Sequence, residues 1–361
     1  MVFRQTHSAL LAAVTFAASR VPMFAGGLTL SALADRLPGR QVMIACDLSR
    51  AGLVVIMAMP GLPLAVRVAP LFIVTLISAP FTSARAALYP DNLSGDRYVL
   101  GTAVTLTTLQ FSQVVGYAAG GAIAGFFGLR ASLLADAATF VGSALITRLW
   151  VHARPAARPA AHSGTSARSG AMAGLRLVFG DRRLRRPMLL GWLAASYNVS
   201  DGVAAPLGHA LGGGDVAVGG ILAASALGAS LGAILFSRLV APGRRLRWMS
   251  PLAAASCAVP VLFVFHPALP EALVILAGGG LFDCYQLAAS AAFVSSTPAG
   301  HRGQAFGIAQ GGLSLGQGAA MIAAGAAAQH YSPAGVIAVG GLLGVLAAIL
   351  ITVTSRRRQP G

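Results

Sequence analysis

Ionisable side chains lie inside long apolar stretches of this sequence, where they could exchange a proton or hold a charged ligand. Asp201 and Asp283 lie near the middle of two such stretches, Arg20 near the middle of the first stretch, and Asp136 nearer one end of another. A carboxylate in a low-dielectric environment favours its neutral form and can therefore cycle a proton. We interpret these four residues as candidate coupling residues. The alternative is a static pair in which Arg20 neutralises one carboxylate.

The elements that position these residues are predicted to be membrane-spanning helices. Hydrophobic residues make up 56% of the chain and charged residues only 10%, whereas soluble domains carry about 25% charged residues. A helix that crosses a bilayer needs about 20 apolar residues. The predicted fold class is therefore all-α and integral to a membrane. Eleven stretches meet this description: 8–33, 42–60, 63–83, 99–126, 129–150, 187–211, 215–236, 248–266, 270–296, 303–329 and 333–354.

Arginine placement sets the predicted orientation. All 26 basic residues are arginine, and the net charge is +16. Most of them lie in alternate loops, so the positive-inside rule places those loops and the carboxyl terminus in the cytoplasm. The expected location is the plasma membrane, with the lipid bilayer as partner. The arginines lie in short loops and are not gathered on one amphipathic face. The net positive charge therefore does not indicate nucleic acid binding.

One long interruption divides the chain into two predicted domains. His152–Ala171 is rich in Ala, Arg, Pro and Ser, as flexible linkers are. Leu175–Arg186 predicts a basic amphipathic helix on the inner membrane surface. The sequence therefore predicts a five-helix bundle over 1–150, a cytoplasmic linker over 151–186, and a six-helix bundle with a basic tail over 187–361.

The two domains are related by a repeat. The charged turn Ala34–Arg40 recurs in the second half as Ser237–Arg245, each between two apolar runs, and the same register pairs Gln113 with Gln317. Parallel repeats are one architecture of secondary transporters. In this register the first helix of the second half has no counterpart. The expectation is a missing opening helix, through a late start in the gene model or a natural truncation.

Soluble enzyme chemistry has no support in the sequence. No Walker loop is present, which disfavours ATP-driven transport. Cys46, Cys257 and Cys284 each lie alone in an apolar run, and this favours a role as small buried hydrophobes. The histidines are dispersed at span ends. We therefore expect no enzyme activity, no metal and no cofactor.

The charged turn resembles a signature of the major facilitator superfamily, Gly-x-x-x-Asp-Arg-x-Gly-Arg-Arg, between the second and third helices. Asp35, Arg36 and Arg40 match this signature. The departures from it are Ser31, Pro38, Gly39 and Gln41. Ala45–Arg50 and Ala84–Pro90 are similar to segments of the bacterial drug and siderophore exporter branch, which includes enterobactin-exporter-like and macrolide-efflux-like proteins.

The resemblance implies a two-bundle transporter that rocks around a central cavity and uses the proton gradient to export small amphipathic compounds. A monomer is expected. It also implies a gate, in which Asp35 docks at the positive end of the 303–329 helix. The gating residues are Asp35, Arg36, Arg40, Asp47 and Arg50, and Asp47 and Arg50 can pair at i, i+3. The alternative is a solvated loop that only fixes orientation.

The resemblance also implies that spans 99–126 and 303–329 face the cavity. The candidate lining residues are Gln110, Gln113, Tyr197, Asn198, Gln286 and Gln317. Interhelical hydrogen bonding is the alternative for the glutamines. Glycines at four-residue spacing predict close helix packing: Gly116/Gly120, Gly121/Gly125, Gly228/Gly232 and Gly303/Gly307/Gly311. The alternative function is a truncated, non-transporting membrane sensor or pseudo-transporter.

Overall fold

A computed structural model describes residues 2–18, 38–92, 96–151, 178–298 and 302–356. Arg20, Asp35 and Arg36 lie outside these residues, as does most of the predicted linker. In chain order the helices are α1 (Val2–Thr6), α2 (Ala9–Ala18), α3 (Gly39–Met57), α4 (Leu64–Asn92), α5 (Asp96–Phe126), α6 (Gly128–Trp150), α7 (Arg182–Trp192), α8 (Ala194–Tyr197), α9 (Val199–Gly202), α10 (Ala204–Ala210), α11 (Gly214–Leu239), α12 (Arg245–Ala258), α13 (Leu269–Phe282), α14 (Tyr285–Ser296), α15 (Arg302–Ala327) and α16 (Pro333–Arg356). Two 3₁₀ segments flank α12, at Pro242–Arg244 and Val259–Phe265.

The chain divides into two compact units. The first unit comprises Met1–Val2, Ala18–Leu109 and Ala122–Ser163, and the second comprises Phe3–Ala17, Gln110–Gly121 and Gly164–Gly361.

In the first unit, α3 packs against α4 and α6. Val42, Met43 and Cys46 lie on one face of α3, because residues three and four apart are neighbours on a helix. They form an apolar cluster with Ala84 of α4. This packing surrounds the charged residues of α3 that are described below.

In the second unit, α11 packs closely along α13. Gly228 and Gly232 lie against the backbone of α13, where a β-carbon would overlap the carbonyl oxygens of Ala277 and Leu281. The packing predicted for this glycine pair is confirmed. It is wrong for Gly116 and Gly120 in the described part of the chain, because nothing lies within 4 Å of either β-carbon position.

Several helices have the length and composition of membrane spans. Among the described residues these segments are Gly128–Trp150, Gly214–Leu239, Arg245–Phe265, Leu269–Ser296 and Pro333–Thr354. Each coincides with a predicted span to within a few residues. The outer face of α16 carries exposed leucines such as Leu343 and Leu346, which lipid would cover favourably. The prediction of an all-α integral membrane fold is confirmed.

The predicted span 187–211 is not one continuous helix. Turns at Leu193, Asn198 and Val203 divide it into α7, α8, α9 and α10. Two of these turns are closed by i→i−3 bonds, from Leu193 N to Leu190 O and from Asp201 N to Asn198 O. Such 3₁₀ turns interrupt the regular helical ladder. A run of apolar residues cannot reveal them, since hydropathy is unchanged by a single turn.

The predicted surface helix 175–186 is interrupted in the structure. Residues 178–180 are helical, Asp181 is not, and α7 begins at Arg182, where the Asp181 side chain caps it by accepting a bond from Arg183 N. It continues through Pro187 to Trp192. The basic residues therefore form the first turns of α7, a core helix of the second unit.

Arginines bind the carboxyl ends of neighbouring helices in both units. Arg40 donates to the carbonyl of Arg148 near the end of α6. Arg182 donates to Thr354 O at 3.5 Å near the end of α16. Arg245 donates to Ser237 O at 2.9 Å near the end of α11. The last four carbonyls of a helix have no intrahelical partner, and the negative end of the dipole favours a cation there.

Candidate functional site

Asp283 lies at an interruption in the second unit. The predicted span 270–296 consists of α13 and α14, which are separated by a turn at Asp283 and Cys284. Gln286 N donates to Asp283 O at 2.9 Å, again in i→i−3 geometry. The interruption directs the residues that start α14 toward the interrupted helices α7 and α8.

Side chains of α14 satisfy carbonyls at the end of α7. Tyr285 Oη donates to Leu190 O at 3.1 Å, and Gln286 Nε2 donates to Gly191 O at 2.9 Å. The same amide group lies 3.1 Å from Tyr285 Oη and 3.4 Å from Tyr197 Oη. Carbonyls at a helix end need partners from outside the helix, and here tyrosine and glutamine supply them.

The carboxyl group of Asp283 lies inside this polar cluster. Its Oδ1 is inaccessible and has no hydrogen-bond partner among the described residues. Tyr197 is close enough to hydrogen-bond to the carboxyl group, and Asp201 is close enough to interact with it electrostatically. The structure therefore brings together Asp201, Asp283, Tyr197 and Gln286, four of the residues selected from the sequence.

A small cavity adjoins the cluster. It has a volume of about 60 Å³ and is lined by Gln286, Gly191, Trp192, Ser290 and Gln310 among others. Trp192 is held by a hydrogen bond from Nε1 to Ala309 O at 2.9 Å. The cavity can hold water molecules but is too small for a drug-sized compound, which needs about 300 Å³ or more.

Removing the Tyr285 hydroxyl group tests its role in this packing. Tyr285→Phe is expected to lower the free energy of unfolding by about 0.5–1.5 kcal/mol, because it removes the buried hydrogen bonds of Tyr285 Oη to Leu190 O and Gln286 Nε2, while Leu190 O keeps its bond from Leu193 N. Thermal unfolding of the detergent-purified protein measures the change. Tyr331→Phe is the matched control. Tyr331 is exposed, so this variant should keep almost the whole wild-type free energy of unfolding. Equal unfolding temperatures for both variants would contradict the assigned role.

Other predicted site residues lie elsewhere. Gln317 of α15 is 7% exposed, whereas Gln110 and Gln113 of α5 are both exposed. Asp136 is exposed on α6 in the first unit. Asn198 forms the turn between α8 and α9, and its carbonyl accepts from Asp201 N at 3.1 Å.

The first unit contains a buried ion pair on α3. Arg50 Nη1 lies 3.3 Å from Asp47 Oδ1, and the two side chains are only 7% and 1% exposed. Arg50 Nη2 also donates to Ile77 O of α4 at 3.0 Å. The predicted pairing is therefore present. The solvated-loop alternative is wrong for these two residues, because protein encloses both.

Aromatic rings and a hydroxyl group complete the surroundings of the pair. The guanidinium of Arg50 lies 4.8 Å from the ring centre of Phe81 on α4 and 5.6 Å from that of Phe140 on α6. Ser143 of α6 lies near the Asp47 carboxyl group. The pair therefore ties α3 to both of its neighbours in the first unit.

Sequence reasoning did not select several residues that the structure places in these clusters. Tyr285 could have been found, because it is a polar residue next to Asp283 inside an apolar run. Phe140 and Ser143 lie at i+4 and i+7 from Asp136 and share a helix face with it, but nothing in the sequence connects them to Asp47. Nothing in the sequence except its large side chain distinguished Trp192 as a residue of the site.

The described residues form helices of membrane length, with half-buried carboxyl groups at helix interruptions, as in an integral membrane protein with a polar site between its helices. The fold resembles the crystal structure of a POT family transporter in complex with 5-aminolevulinic acid, with a TM-score of 0.72, 11% identity, and coverage of 96% of this chain and 87% of that one. It also resembles the nucleoside transporter NupG, with a TM-score of 0.66, 13% identity, and coverage of 97% and 91%. At these identities the likeness concerns the fold alone.

The family model of the Major Facilitator Superfamily matches residues 2–277 and, in a second match, residues 198–361. The chain belongs to the Major Facilitator Superfamily. A search of curated proteins found no match. The family and the similar structures indicate a transporter rather than an enzyme.

Proposed function

We propose that this protein is a secondary active transporter that exports small amphipathic compounds in exchange for protons. In this proposal it resides in the plasma membrane, with its arginine-rich turns and carboxyl terminus in the cytoplasm. The observation that carries the proposal is half-buried Asp283, whose inaccessible carboxyl oxygen Oδ1 lies among polar side chains at a helix interruption.

The surroundings of Asp283 suit a group that changes its charge. Among the described residues, no arginine or histidine forms an ion pair with it. An unpaired buried carboxylate is costly, so these surroundings accommodate a neutral carboxylic acid better than an anion. Loss of the proton would then favour a different arrangement of the surrounding helices. A proton can shift the equilibrium between two conformations only if it binds one of them more tightly than the other.

The proposed substrate class is the one that a widened form of the small cavity would suit. Trp192 supplies an aromatic wall there and Gln286 a hydrogen-bonding group, and Asp283 is an ionisable group next to Gln286 in the polar cluster. Sites for small molecules combine mostly apolar walls with a few polar groups. A compound with an apolar body and a cationic or hydrogen-bonding end fits this combination.

The charged residues of α3 are proposed to belong to the gate. Arg40 binds the end of α6, and the Asp47–Arg50 pair binds α3 to α4 and α6. These contacts would make the first unit move as a rigid body. Asp35 and Arg36 precede α3 in the sequence and would supply the contact that opens and closes.

Ethidium, an amphipathic cation, is a suitable probe in inside-out vesicles that carry an imposed proton gradient. Wild type should accumulate ethidium when the gradient is applied, and Asp283→Asn should reduce accumulation to the level of vesicles without the protein. Asp283→Asn should still exchange labelled for unlabelled ethidium at equal pH, because only coupling is removed. Glu271→Gln is the control, since Glu271 is exposed at the start of α13 and should transport normally.

Proton-driven accumulation by Asp283→Asn at the wild-type rate would overturn the coupling role. If neither ethidium nor any compound in a drug-susceptibility panel were moved by wild type, export would be excluded in favour of a sensor. The corresponding Asp35→Asn variant should lose both accumulation and exchange, because the gate serves both.

A further inference from the structure

A cationic cavity opens at the arginine-bearing end of the second unit. It has a volume of about 450 Å³ and lies between the first turns of α7 and the helices α12, α14 and α16. Its polar wall consists of Arg182, Arg183, Arg185 and Arg186. This cavity is separate from the Asp283 cluster, and proton coupling makes no use of it.

Two guanidinium groups in this wall, those of Arg185 and Arg186, lie against neutral acceptors. Arg186 Nη2 lies 3.1 Å from Ser250 Oγ, and Arg185 Nη1 lies 3.5 Å from Phe179 O. Among the described residues, no carboxylate forms an ion pair with Arg183, Arg185 or Arg186. The nearby Asp181 is engaged at the helix start, where it accepts from Arg183 N at 2.8 Å.

One donor in the cavity wall is buried and unused. Arg186 Nε is inaccessible and has no hydrogen-bond partner among the described residues. The preceding segment 152–177 contains no Asp or Glu, and neither does the segment 355–361. The neighbouring chain therefore offers further arginines but no acidic side chain to balance this wall.

The opposite wall of the cavity is apolar. Met249 and Leu246 of α12 and Ile351 of α16 line it, and Leu246 is 56% exposed. Arginine beside an exposed leucine is a composition found where a protein surface meets lipid head groups, because the stem of arginine covers apolar surface while its charged head stays in water.

From these observations we infer that the cavity is a binding site for an anionic phospholipid. The phosphate diester would accept hydrogen bonds from Arg183, Arg185 and Arg186, and the acyl chains would lie on Leu246, Met249 and Ile351. Guanidinium groups bind phosphate oxygens through strong charge-assisted hydrogen bonds. A bound lipid would hold the start of α7 against α12 and α16. The inference goes beyond the proposed transport function and does not depend on it.

Short-chain lipids test the site on the detergent-purified full chain. Dioctanoyl-phosphatidylglycerol should raise the unfolding temperature in a saturable way, whereas dioctanoyl-phosphatidylcholine and inorganic phosphate should not. Changing Arg183, Arg185 and Arg186 together to Gln should raise the apparent Kd for phosphatidylglycerol about 100-fold, at about fivefold for each arginine. The matched control changes Arg238, Arg244 and Arg247 to Gln, which removes three exposed charges from the same end of the unit and should leave the Kd within about threefold.

A second variant covers the case in which the triple variant does not fold. Ser296→Glu places a carboxylate in the same cavity without removing an arginine, and it should abolish lipid binding. Equal losses in the triple variant and its matched control would overturn the site in favour of general surface charge. Saturable stabilisation by inorganic phosphate alone would also overturn it, because the ligand would then be a free anion. If Ser296→Glu bound phosphatidylglycerol as tightly as wild type does, this cavity would be excluded as the lipid-binding site.

Discussion

Replacing Arg50 with methionine is expected to lower the free energy of unfolding of the first unit by about 3–5 kcal/mol. The change leaves Asp47 buried without its cation, removes the bond to Ile77 O, and removes the stacking on Phe81 and Phe140. An uncompensated buried charge is among the most destabilising consequences of a single substitution. Thermal unfolding of the detergent-purified protein measures the loss.

A double variant separates the charge from the packing. Asp47→Asn combined with Arg50→Met removes both charges, so it should recover a large part of the stability that Arg50→Met loses. Arg130→Met is the matched single control, because Arg130 is exposed on α6, and its effect should stay within about 0.5 kcal/mol. A double variant no more stable than Arg50→Met would mean that the two charges are not coupled.

Enlarging Gly228 is expected to disrupt the contact between α11 and α13. The β-carbon of Gly228→Leu would overlap the carbonyl of Ala277, and a backbone carbonyl inside a helix cannot move away without breaking its own hydrogen bond. Overpacking of this kind costs about 3 kcal/mol or more where the neighbours cannot yield. Little folded protein should therefore be recovered, as measured by the monodisperse fraction in size-exclusion chromatography.

Gly278→Ala provides the control on the same pair of helices. The nearest atom to its β-carbon position is Val259 Cγ1 at 3.7 Å, an ordinary van der Waals distance. This variant should keep or slightly raise the wild-type stability, since alanine favours the helix over glycine by about 1 kcal/mol. Normal recovery of Gly228→Leu would show that the two helices can separate at no great cost.

The sequence predicted the long helices because their signal is strong and local. The predicted span 129–150 corresponds to the observed helix Gly128–Trp150, and the predicted span 333–354 corresponds to the observed helix Pro333–Arg356. Each is a run of apolar residues with turn-forming residues at its ends. Interruptions such as those at Asn198 and Asp283 could not be predicted in the same way. The interruption at Leu193, for example, lies next to the carbonyls of Leu190 and Gly191, which accept hydrogen bonds from Tyr285 and Gln286 in a distant part of the chain.

The candidate sites show the same division. The spacing of Asp47 and Arg50 predicted that they could pair, since i, i+3 neighbours meet on any helix. It could not predict their burial, which depends on how Phe81 and Phe140 pack from two other helices. Asp201 and Asp283 were selected by depth in an apolar run, but only the fold brings them within electrostatic range of each other.

The arginines that bind helix ends have a consequence for regulation. Arg40, Arg182 and Arg245 make these contacts, and arginine is not a substrate for the acylation reactions that modify lysine. The chain contains no lysine and only 10 acidic residues and 7 histidines. Acylation and methylation of lysine therefore have no target side chain in this protein. Any response to acidification must originate in that small group of acids and histidines and not in the scaffold.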